Sequence, residues 1–311
     1  SKFLFSCVLA CCLLGNLTAR GEIKLEKNDD GVTVKIDNDL FTVYRIKSGA
    51  KPILWPVVGP TGKEMTRAFP MREVAGEKTD HIHQRSFWLT HGEVNGVSFW
   101  MEQGEHGTIE HQGFDKVESG PVGLLVARNL WKSKDGTVQC EETRTLRFGS
   151  SDSGRWIDFD AIFKPAGGKP IVFGDTKEGA FGVRVAEALA VDAKKGGKIV
   201  NSNGETDKDA WGKRATWVDY FGPLEGETLG IAILNHPSSF RHPTYWHVRT
   251  YGLFAANPFG VKDFTGKKED NGSHTVEAGQ TLRLRHRVIL HKGDEKAGKI
   301  SAEYERFAAE Q

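Results

Sequence analysis

Hydrophobic and polar residues alternate along many short segments of this chain, which is the pattern of strands with one buried face. The alternation is clearest over residues 155–163. It recurs over residues 32–36, 40–44, 123–128, 137–147 and 280–291. Many short strands separated by turn residues predict an all-β fold, namely a large antiparallel β-sandwich.

One segment near the end of the chain follows a helical period instead. Within residues 296–309, the side chains of Ile300, Tyr304 and Phe307 fall on one stripe of a helix. We therefore expect a short C-terminal helix that covers part of the β structure. No internal repeat or linker divides the chain, so residues 22–311 are predicted to form a single domain.

The first 21 residues have the pattern of a secretory signal peptide. Lys2 precedes an apolar run over residues 3–14, and small residues follow near Gly21. The run is too short for a membrane span. We expect cleavage near Gly21 and export from the cytoplasm, so that the mature protein is either periplasmic or secreted. The adjacent Cys11 and Cys12 leave a lipoprotein signal as an alternative.

Charge and cysteine content narrow the class of protein. The chain has 42 Lys and Arg against 41 Asp and Glu, with a net charge of +1 and no basic block. This balance argues against nucleic acid and anionic membranes as partners. Cys140 is the one cysteine outside the predicted signal peptide, so the mature chain cannot form an intramolecular disulfide. No later segment is long enough to span a membrane.

Residues 80–102 contain the densest chemistry of the chain, with three histidines, one arginine and three carboxylates among aromatic residues. If residues 81–85 formed a strand, His81, His83 and Arg85 would project from one side. Such a cluster indicates a site rather than a solvated surface. A His-x-His pair can also bind a metal ion, so His81 and His83 are candidate ligands for a single divalent transition metal. The cofactor is otherwise unknown.

The dipeptide Asn95-Gly96 predicts a tight hairpin with a type I′ turn. In that register Glu93 pairs with Ser98 and His91 pairs with Trp100, so their side chains share one face. His91 and Glu93 would then join the polar centre formed by His81, His83 and Arg85.

Later segments supply the residues expected on an opposing wall. Carboxylates in a glycine-bounded loop and histidines beside tryptophan suit proton transfer, and aromatic faces with charged neighbours suit carbohydrate. Each residue alone is also compatible with a structural or solvated role. The further catalytic candidates are Asp175, Glu178, His236 and His247. The substrate-binding candidates are Trp88, Trp100, Arg184, Trp211, Arg214, Arg241 and Asn257.

Linked motifs run through nearly the whole mature chain. They are Phe-Pro-Met-Arg at 69–72, Asp-His-Ile-His at 80–83, His-Gly-Glu-Val-Asn-Gly at 91–96, Phe-Gly-Asp-Thr-Lys-Glu-Gly at 173–179, Asp-Ala-Trp-Gly-Lys-Arg-Ala at 209–215, Trp-His-Val-Arg-Thr-Tyr-Gly at 246–252 and Leu-Phe-Ala-Ala-Asn-Pro-Phe-Gly at 253–260. This series resembles an exported bacterial family of unknown function that is labelled methane oxygenase PmoA (PmoA-like).

The resemblance implies a galactose-mutarotase-like supersandwich in which ligands sit on a concave sheet face. Family members often have Asp-His-Pro-His-His-Arg-Gly at the first motif, whereas this chain has Ile82, Gln84 and Ser86 at the differing positions. Because Gln84 stands where relatives have a histidine, a three-histidine site is not carried over to this chain.

The leading functional hypothesis is an exported carbohydrate-active enzyme, either mutarotase-like, a lyase or a hydrolase. Its substrate would be a small molecule or an oligosaccharide. A metal-dependent oxygenase or hydrolase is the first alternative, with Glu93 or His91 completing the shell of His81 and His83. The second is a glycan-binding module without turnover, in which Trp88, Trp100, Trp211 and Trp246 hold the glycan. The oligomeric state is left open.

Overall fold

The computed structural model describes residues 21–311. Two eight-stranded antiparallel sheets form a sandwich. The strand order of the first sheet is β1 (Ile23–Asn28), β2 (Gly31–Ile36), β3 (Asp39–Ser48), β4 (Lys51–Val57), β5 (Phe87–His91), β11 (Gly179–Arg184), β16 (Leu253–Ala256) and β15 (Trp246–Val248).

The order of the second sheet is β12 (Lys198–Asn201), β13 (Trp217–Leu224), β14 (Glu227–Asn235), β18 (Leu282–Lys292), β9 (Gly154–Lys164), β8 (Val138–Ser151), β7 (Gly123–Lys132) and β6 (Thr108–Glu118). A small two-stranded sheet joins β10 (Ile171–Phe173) to β17 (His274–Val276). The α-helices are α1 (Val261–Thr265) and α2 (Ile300–Ala308), and single 3₁₀ turns cover Glu187–Leu189, Val191–Ala193 and Asp207–Ala210.

The predicted fold class is therefore confirmed, as an antiparallel all-β sandwich with a short C-terminal helix. Four of the six segments with clear alternation lie within a strand, and the other two, 137–147 and 280–291, overlap β8 and β18 over most of their length. The terminal helix begins at Ile300, four residues later than the pattern predicted. Helix α1 was not anticipated, because five residues are too few to show a helical period.

The main core lies between the two sheets. Alternate residues of the first sheet, including Leu54, Leu89 and Phe181, pack against residues of the second sheet such as Phe159 and Ile231. Strand alternation then directs the intervening residues of each sheet away from this core. We call these opposite sides the outer faces of the two sheets.

Helix α2 covers part of the outer face of the second sheet. Ile300 and Phe307 pack there against Trp156, Trp217 and Ile289. The pattern over residues 296–309 was thus an amphipathic stripe whose apolar side is buried on a sheet.

The outer face of the first sheet carries a separate apolar cluster. Ile53, Trp88 and Leu253 lie on this face, and Ala68 and Trp100 from the connecting loops cover them. These loops leave a cleft open at the end of the cluster.

Two expectations about the ends of the chain are not tested by the fold. The predicted signal peptide lies almost entirely outside the described residues, so export stays a prediction, as does the assignment of residues 22–311 to one domain. Within residues 21–311, no helix is both long and apolar enough to cross a membrane.

Candidate functional site

An open cleft of about 510 Å³ lies on the outer face of the first sheet. Its volume is in the range of small-molecule sites. The lining residues are His81, His83, Gln84, Met101, Lys177, Glu178, His247, Arg249, Thr250 and Tyr251. Four predicted catalytic residues, His81, His83, Glu178 and His247, are therefore brought together from three distant parts of the sequence.

His81 stands at the mouth of the cleft with its ring held on two sides. Its ring stacks on Tyr251 with centroids 5.1 Å apart, and its Nδ1 lies 3.1 Å from Oδ2 of Asp80. A carboxylate at Nδ1 orients the imidazole and leaves Nε2 available for exchange of a proton. The side chain is 39% exposed, so this nitrogen can also reach solvent.

The predicted strand over residues 81–85 is wrong. His81 has a positive φ of 45° and Ser86 one of 58°, and β5 begins only at Phe87. The backbone turns here because the carbonyl of His81 accepts hydrogen bonds from Arg67 and from the amide of Gln84. His81 and His83 still meet, with ring centroids 5.8 Å apart.

His83 is a mostly buried imidazole against the ring of Trp100, 6.0 Å away between centroids. Within the part of the chain that the structure describes, no atom hydrogen-bonds its ring nitrogens. Burial, followed by the positive charges of Lys51 and His81, lowers the pKa of His83 to about 4. The ring is therefore neutral at pH 7 and has a nitrogen free to accept a proton.

Arg85 turns away from the cleft into a buried ion cluster. Glu102 accepts hydrogen bonds from Arg85 and from Lys51, whose ammonium also donates to the carbonyl of His83 at 2.7 Å. Burial lowers the pKa of Lys51 to about 8, against the opposing effect of Glu102. Arg85 thus supports the backbone of His83 indirectly instead of facing a ligand.

Gln84 links the floor of the cleft to the residues behind it. Its Oε1 accepts from Arg184 at 2.5 Å, and its Nε2 lies 3.3 Å from the hydroxyl of Tyr251. Arg184 also pairs with Asp80, which Arg67 contacts at 2.6 Å. Although burial opposes ionisation, the two arginines lower the pKa of Asp80 and keep it charged beside His81.

His247 presents a hydrogen-bond donor to the cleft. The indole of Trp211 can only donate, and it donates to Nδ1 of His247 at 2.8 Å. The proton of the neutral ring therefore sits on Nε2, 4.0 Å from Oε2 of Glu178. Burial, followed by the charges of Arg249 and Lys177, lowers the pKa of His247 to about 3, so the ring is neutral at pH 7.

The loop that carries Glu178 is fixed from below. Asn257 donates to the carbonyls of Thr176 and Lys177, both at 2.9 Å, and Asp175 accepts from the amides of Lys262 and Gly272. Asp175 and Asn257 therefore hold the shape of the loop and do not line the cleft.

The hairpin turn at Asn95-Gly96 is confirmed, with φ of 51° and 78° at its two central residues. The predicted pairing of the two strands beyond this turn, Glu93 with Ser98 and His91 with Trp100, is wrong. Phe99, not Trp100, donates to the carbonyl of His91, and the carbonyl of Glu93 accepts instead from the amide of Gly174. The ribbon ends after one pair because β11 takes the place beside β5.

His91 and Glu93 consequently lie apart from the cleft. His91 shares the inner face of β5 with Phe87 and Leu89, where its Nε2 bonds the carbonyl of Gly174 at 2.8 Å and its ring packs on Phe259. Glu93 is exposed on the far side of the turn.

The tryptophans expected to form open platforms are mostly buried. Trp88 and Trp100 are each 1% exposed and pack edge to face with centroids 5.7 Å apart, and Trp246 is fully buried. Trp211 is half-buried and positions His247. The indole faces therefore do not form the surface that a tryptophan-based glycan module requires.

Three further candidates lie elsewhere. His236 belongs to the second sheet, where it bonds Ser238 and the carbonyl of Glu310. The guanidinium of Arg241 binds the carbonyls of Pro258, Gly272 and Ser273, and Arg214 binds that of Pro243. The hydrogen bonds of the two arginines are to backbone carbonyls, which indicates a structural role.

The residues do not fit the predicted metal shell. His91 and Glu93, which were to complete it, are outside the cleft. Among residues 21–311, no group of three His, Cys, Asp or Glu side chains has an arrangement that could hold a metal ion.

Sequence reasoning did not select three residues that line the cleft, namely Lys177, Arg249 and Tyr251, or the buried Lys51 behind it. Lys177 and Arg249 lay inside motifs that were recognised, and Arg249 shares a strand face with His247 by alternation. This shared face indicated that Arg249 lies beside His247. Lys51 and Tyr251 carried no such indication, because only the fold brings them beside residues 81–84.

Solved structures with a similar backbone fold include an α-galactosidase and galactose mutarotase-like proteins. A GH36 α-galactosidase from Geobacillus stearothermophilus matches 88% of this chain and 42% of its own, with 9% identity and a TM-score of 0.44. Galactose mutarotase-like proteins from Lactobacillus casei and Clostridium acetobutylicum match 86% and 87% of this chain and 100% and 98% of their own, with 10% and 8% identity and TM-scores of 0.37 and 0.40.

These likenesses are too weak to inform the chemistry of the cleft. The chain spans 40–42% of the length of the α-galactosidases that it matches. No curated protein matches the sequence.

A family model described as "Family of unknown function (DUF6807)" matches residues 31–305. The match covers every strand of the two large sheets except β1, and every residue that lines the cleft. It carries no methane oxygenase label, so the PmoA-like resemblance stays a prediction. The chain belongs to this family of unknown function, DUF6807.

Proposed function

We propose that this protein is a carbohydrate-active enzyme that moves protons within the cleft. One observation carries the proposal. The cleft brings together a neutral His83 without a hydrogen-bond partner, a neutral His247 that presents Nε2–H, and the carboxylate of Glu178. A proton acceptor, a hydrogen-bond donor and a carboxylate around one space are groups that general acid–base catalysis can use.

Each side chain has a role that follows from its environment. His83 accepts a proton from the substrate, since its ring is neutral and its nitrogens have no protein partner. His247 donates a hydrogen bond from Nε2 to a substrate oxygen that gains negative charge. His81, oriented by Asp80 and open to solvent, exchanges the proton with water.

A sugar suits the remaining surface of the cleft. The exposed part of the stacked His81–Tyr251 pair is a flat aromatic surface for an apolar ring face, and Gln84 and Thr250 add hydrogen-bonding groups at the edge. The volume of about 510 Å³ accommodates a small saccharide.

The carboxylate content narrows the reaction type. Glycoside hydrolysis usually needs two carboxylates on either side of the bond. Among the described residues, Glu178 is the one Asp or Glu that lines the cleft. A mutarotase-like or eliminative reaction, in which histidines and a single carboxylate share the proton transfers, is favoured over hydrolysis.

The test is a screen of saccharides by NMR, which follows both anomeric exchange and the appearance of unsaturated products. For a substrate found in this way, His83→Ala should lower kcat by about 10²–10⁴-fold, the usual contribution of one acid–base group. His106→Ala is the matched control, because His106 bonds only the carbonyl of Gly107 outside the cleft. A His83→Ala variant that is folded and turns over the substrate at the wild-type rate would rule out the proposal.

A further inference from the structure

The cleft has more positive charge around it than its carboxylates can neutralise. Behind the cleft wall, Asp80 is shared by Arg67 and Arg184. Glu102 is likewise shared by Lys51 and Arg85. Each of these two clusters has two cations and one carboxylate, which leaves one excess positive charge.

Two more cations stand at the cleft itself. Lys177 lies 3.4 Å from Glu178, the one lining carboxylate, and this partly exposed contact is weak. Arg249 lies over the ring of Trp211, 4.7 Å from its centroid. In the described part of the chain, no carboxylate forms an ion pair with Arg249.

Arg249 is thus positioned but not neutralised. Its contact with Trp211 fixes the plane of the guanidinium, and the same Trp211 holds His247 in the tautomer that presents Nε2–H. A planar guanidinium with free N–H groups matches the geometry of a carboxylate better than that of a neutral hydroxyl.

We propose that the cleft binds a sugar that bears a carboxylate, a uronate or aldonate, with Arg249 as its anchor and Lys177 as a second cation. This inference rests on the proposed function for the sugar and adds the charge of the substrate. The carboxylate would supply the negative charge that the surrounding cations lack. It would also offset the charges that keep the pKa of His83 low, which makes His83 a better base in the complex.

The experiment is calorimetric titration of the full protein with glucuronate, galacturonate, glucose, galactose and glucose 6-phosphate. A uronate should bind more tightly than its neutral counterpart, and added salt should weaken its binding. Arg249→Gln should weaken uronate binding by about tenfold to a hundredfold, the usual contribution of charge-assisted hydrogen bonds, and leave the neutral sugar unchanged.

Arg45→Gln is the matched control. Arg45 lies over Trp55 at 4.4 Å, so this variant removes the same kind of Arg–Trp contact at a site that does not line the cleft. It should bind uronate as the wild type does.

Three results would overturn the inference. These are the absence of uronate binding in the millimolar range, equal binding of uronate and neutral sugar, and stronger binding of glucose 6-phosphate than of the uronates. Failure of the proposed function gives a different result. Uronate would then bind in an Arg249-dependent manner without turnover, whereas a neutral sugar that is turned over in a His83-dependent manner would contradict the inference alone.

Discussion

On the outer face of the second sheet, arginines of β18 stand opposite carboxylates of β9. Arg287 makes two hydrogen bonds to Asp158, at 2.6 and 2.8 Å, and Arg283 pairs with Asp160 in the same way. Glu310, after helix α2, adds a second carboxylate to Arg287. Positive charge on this face is matched locally by negative charge.

The outer face of the first sheet uses the same residue types with a different balance. There, Asp80 and Glu102 are each shared by two cations, and Arg249 has an aromatic ring as its neighbour instead of an acid. Full pairing on the second sheet fits a structural role, since buried ions without partners are costly. Incomplete pairing beside an open cleft leaves charge available for a ligand.

The largest test of this comparison replaces one arginine on each face. Arg287→Ala should lower the free energy of unfolding by about 3–5 kcal/mol, because Asp158 would stay buried without its partner. Arg249→Ala should cost less than about 1 kcal/mol, since it removes only a contact with Trp211. Urea unfolding followed by fluorescence measures both. Comparable losses in the two variants would contradict the distinction between the faces.

The second test uses the pH dependence of His247. Its folded-state pKa of about 3 lies below the ordinary value of about 6.5, so its contribution to stability is present above pH 6.5 and is lost as the pH falls toward 3. The loss is on the order of 2 kcal/mol by pH 5, because each pH unit below the unfolded pKa of about 6.5 corresponds to about 1.4 kcal/mol.

His247→Gln should reduce this acid sensitivity, since glutamine retains an acceptor for Trp211 and does not titrate. The measurement is the free energy of unfolding at pH 7 and pH 5 in both proteins. His106→Gln, outside the cleft, should keep the wild-type difference between the two pH values. If His247→Gln keeps it too, His247 is not the group responsible.

Sequence reasoning succeeded for the fold because strand alternation is a local property. The segment 155–163 alternates since one face of β9 meets the main core and the other carries Asp158 and Asp160. The turn at Asn95-Gly96 was also predictable, because few residue pairs adopt positive φ at both positions.

The site was predictable only in part, and the errors arise from contacts between residues that are distant in the sequence. Assigning a side chain to a face requires knowing which backbone partners a strand finds, and β5 pairs with the distant β11 instead of with residues 97–100. The side chain of His91 is therefore buried on the inner face of β5. His81 and His83 reached the cleft through a turn held by Arg67, a contact that no local pattern reports.

The smallest of the three tests concerns His291, which lies on the second sheet and completes the comparison with His247. Its Nε2 meets Asp219 at 2.9 Å, and its Nδ1 meets the carbonyl of Lys292. Burial alone would lower the pKa of His291, but the charge and hydrogen bond of Asp219, followed by the Lys292 carbonyl, raise it overall.

The sign is therefore opposite to that of His247. A raised folded-state pKa means that the stabilisation is fully present below about pH 6.5 and is lost as the pH rises through the folded-state pKa. The wild type should lose this contribution as the pH rises above 6.5 through the folded-state pKa, whereas His291→Gln should have a flatter profile above pH 6.5. The stability contributions of His291, paired with Asp219 on the outer face of the second sheet, and of the neutral His247 in the cleft would then depend on pH in opposite directions. Equal slopes in wild type and variant would show that His291 is neutral in the folded protein and that the charges of the second sheet are less completely paired than its geometry indicates.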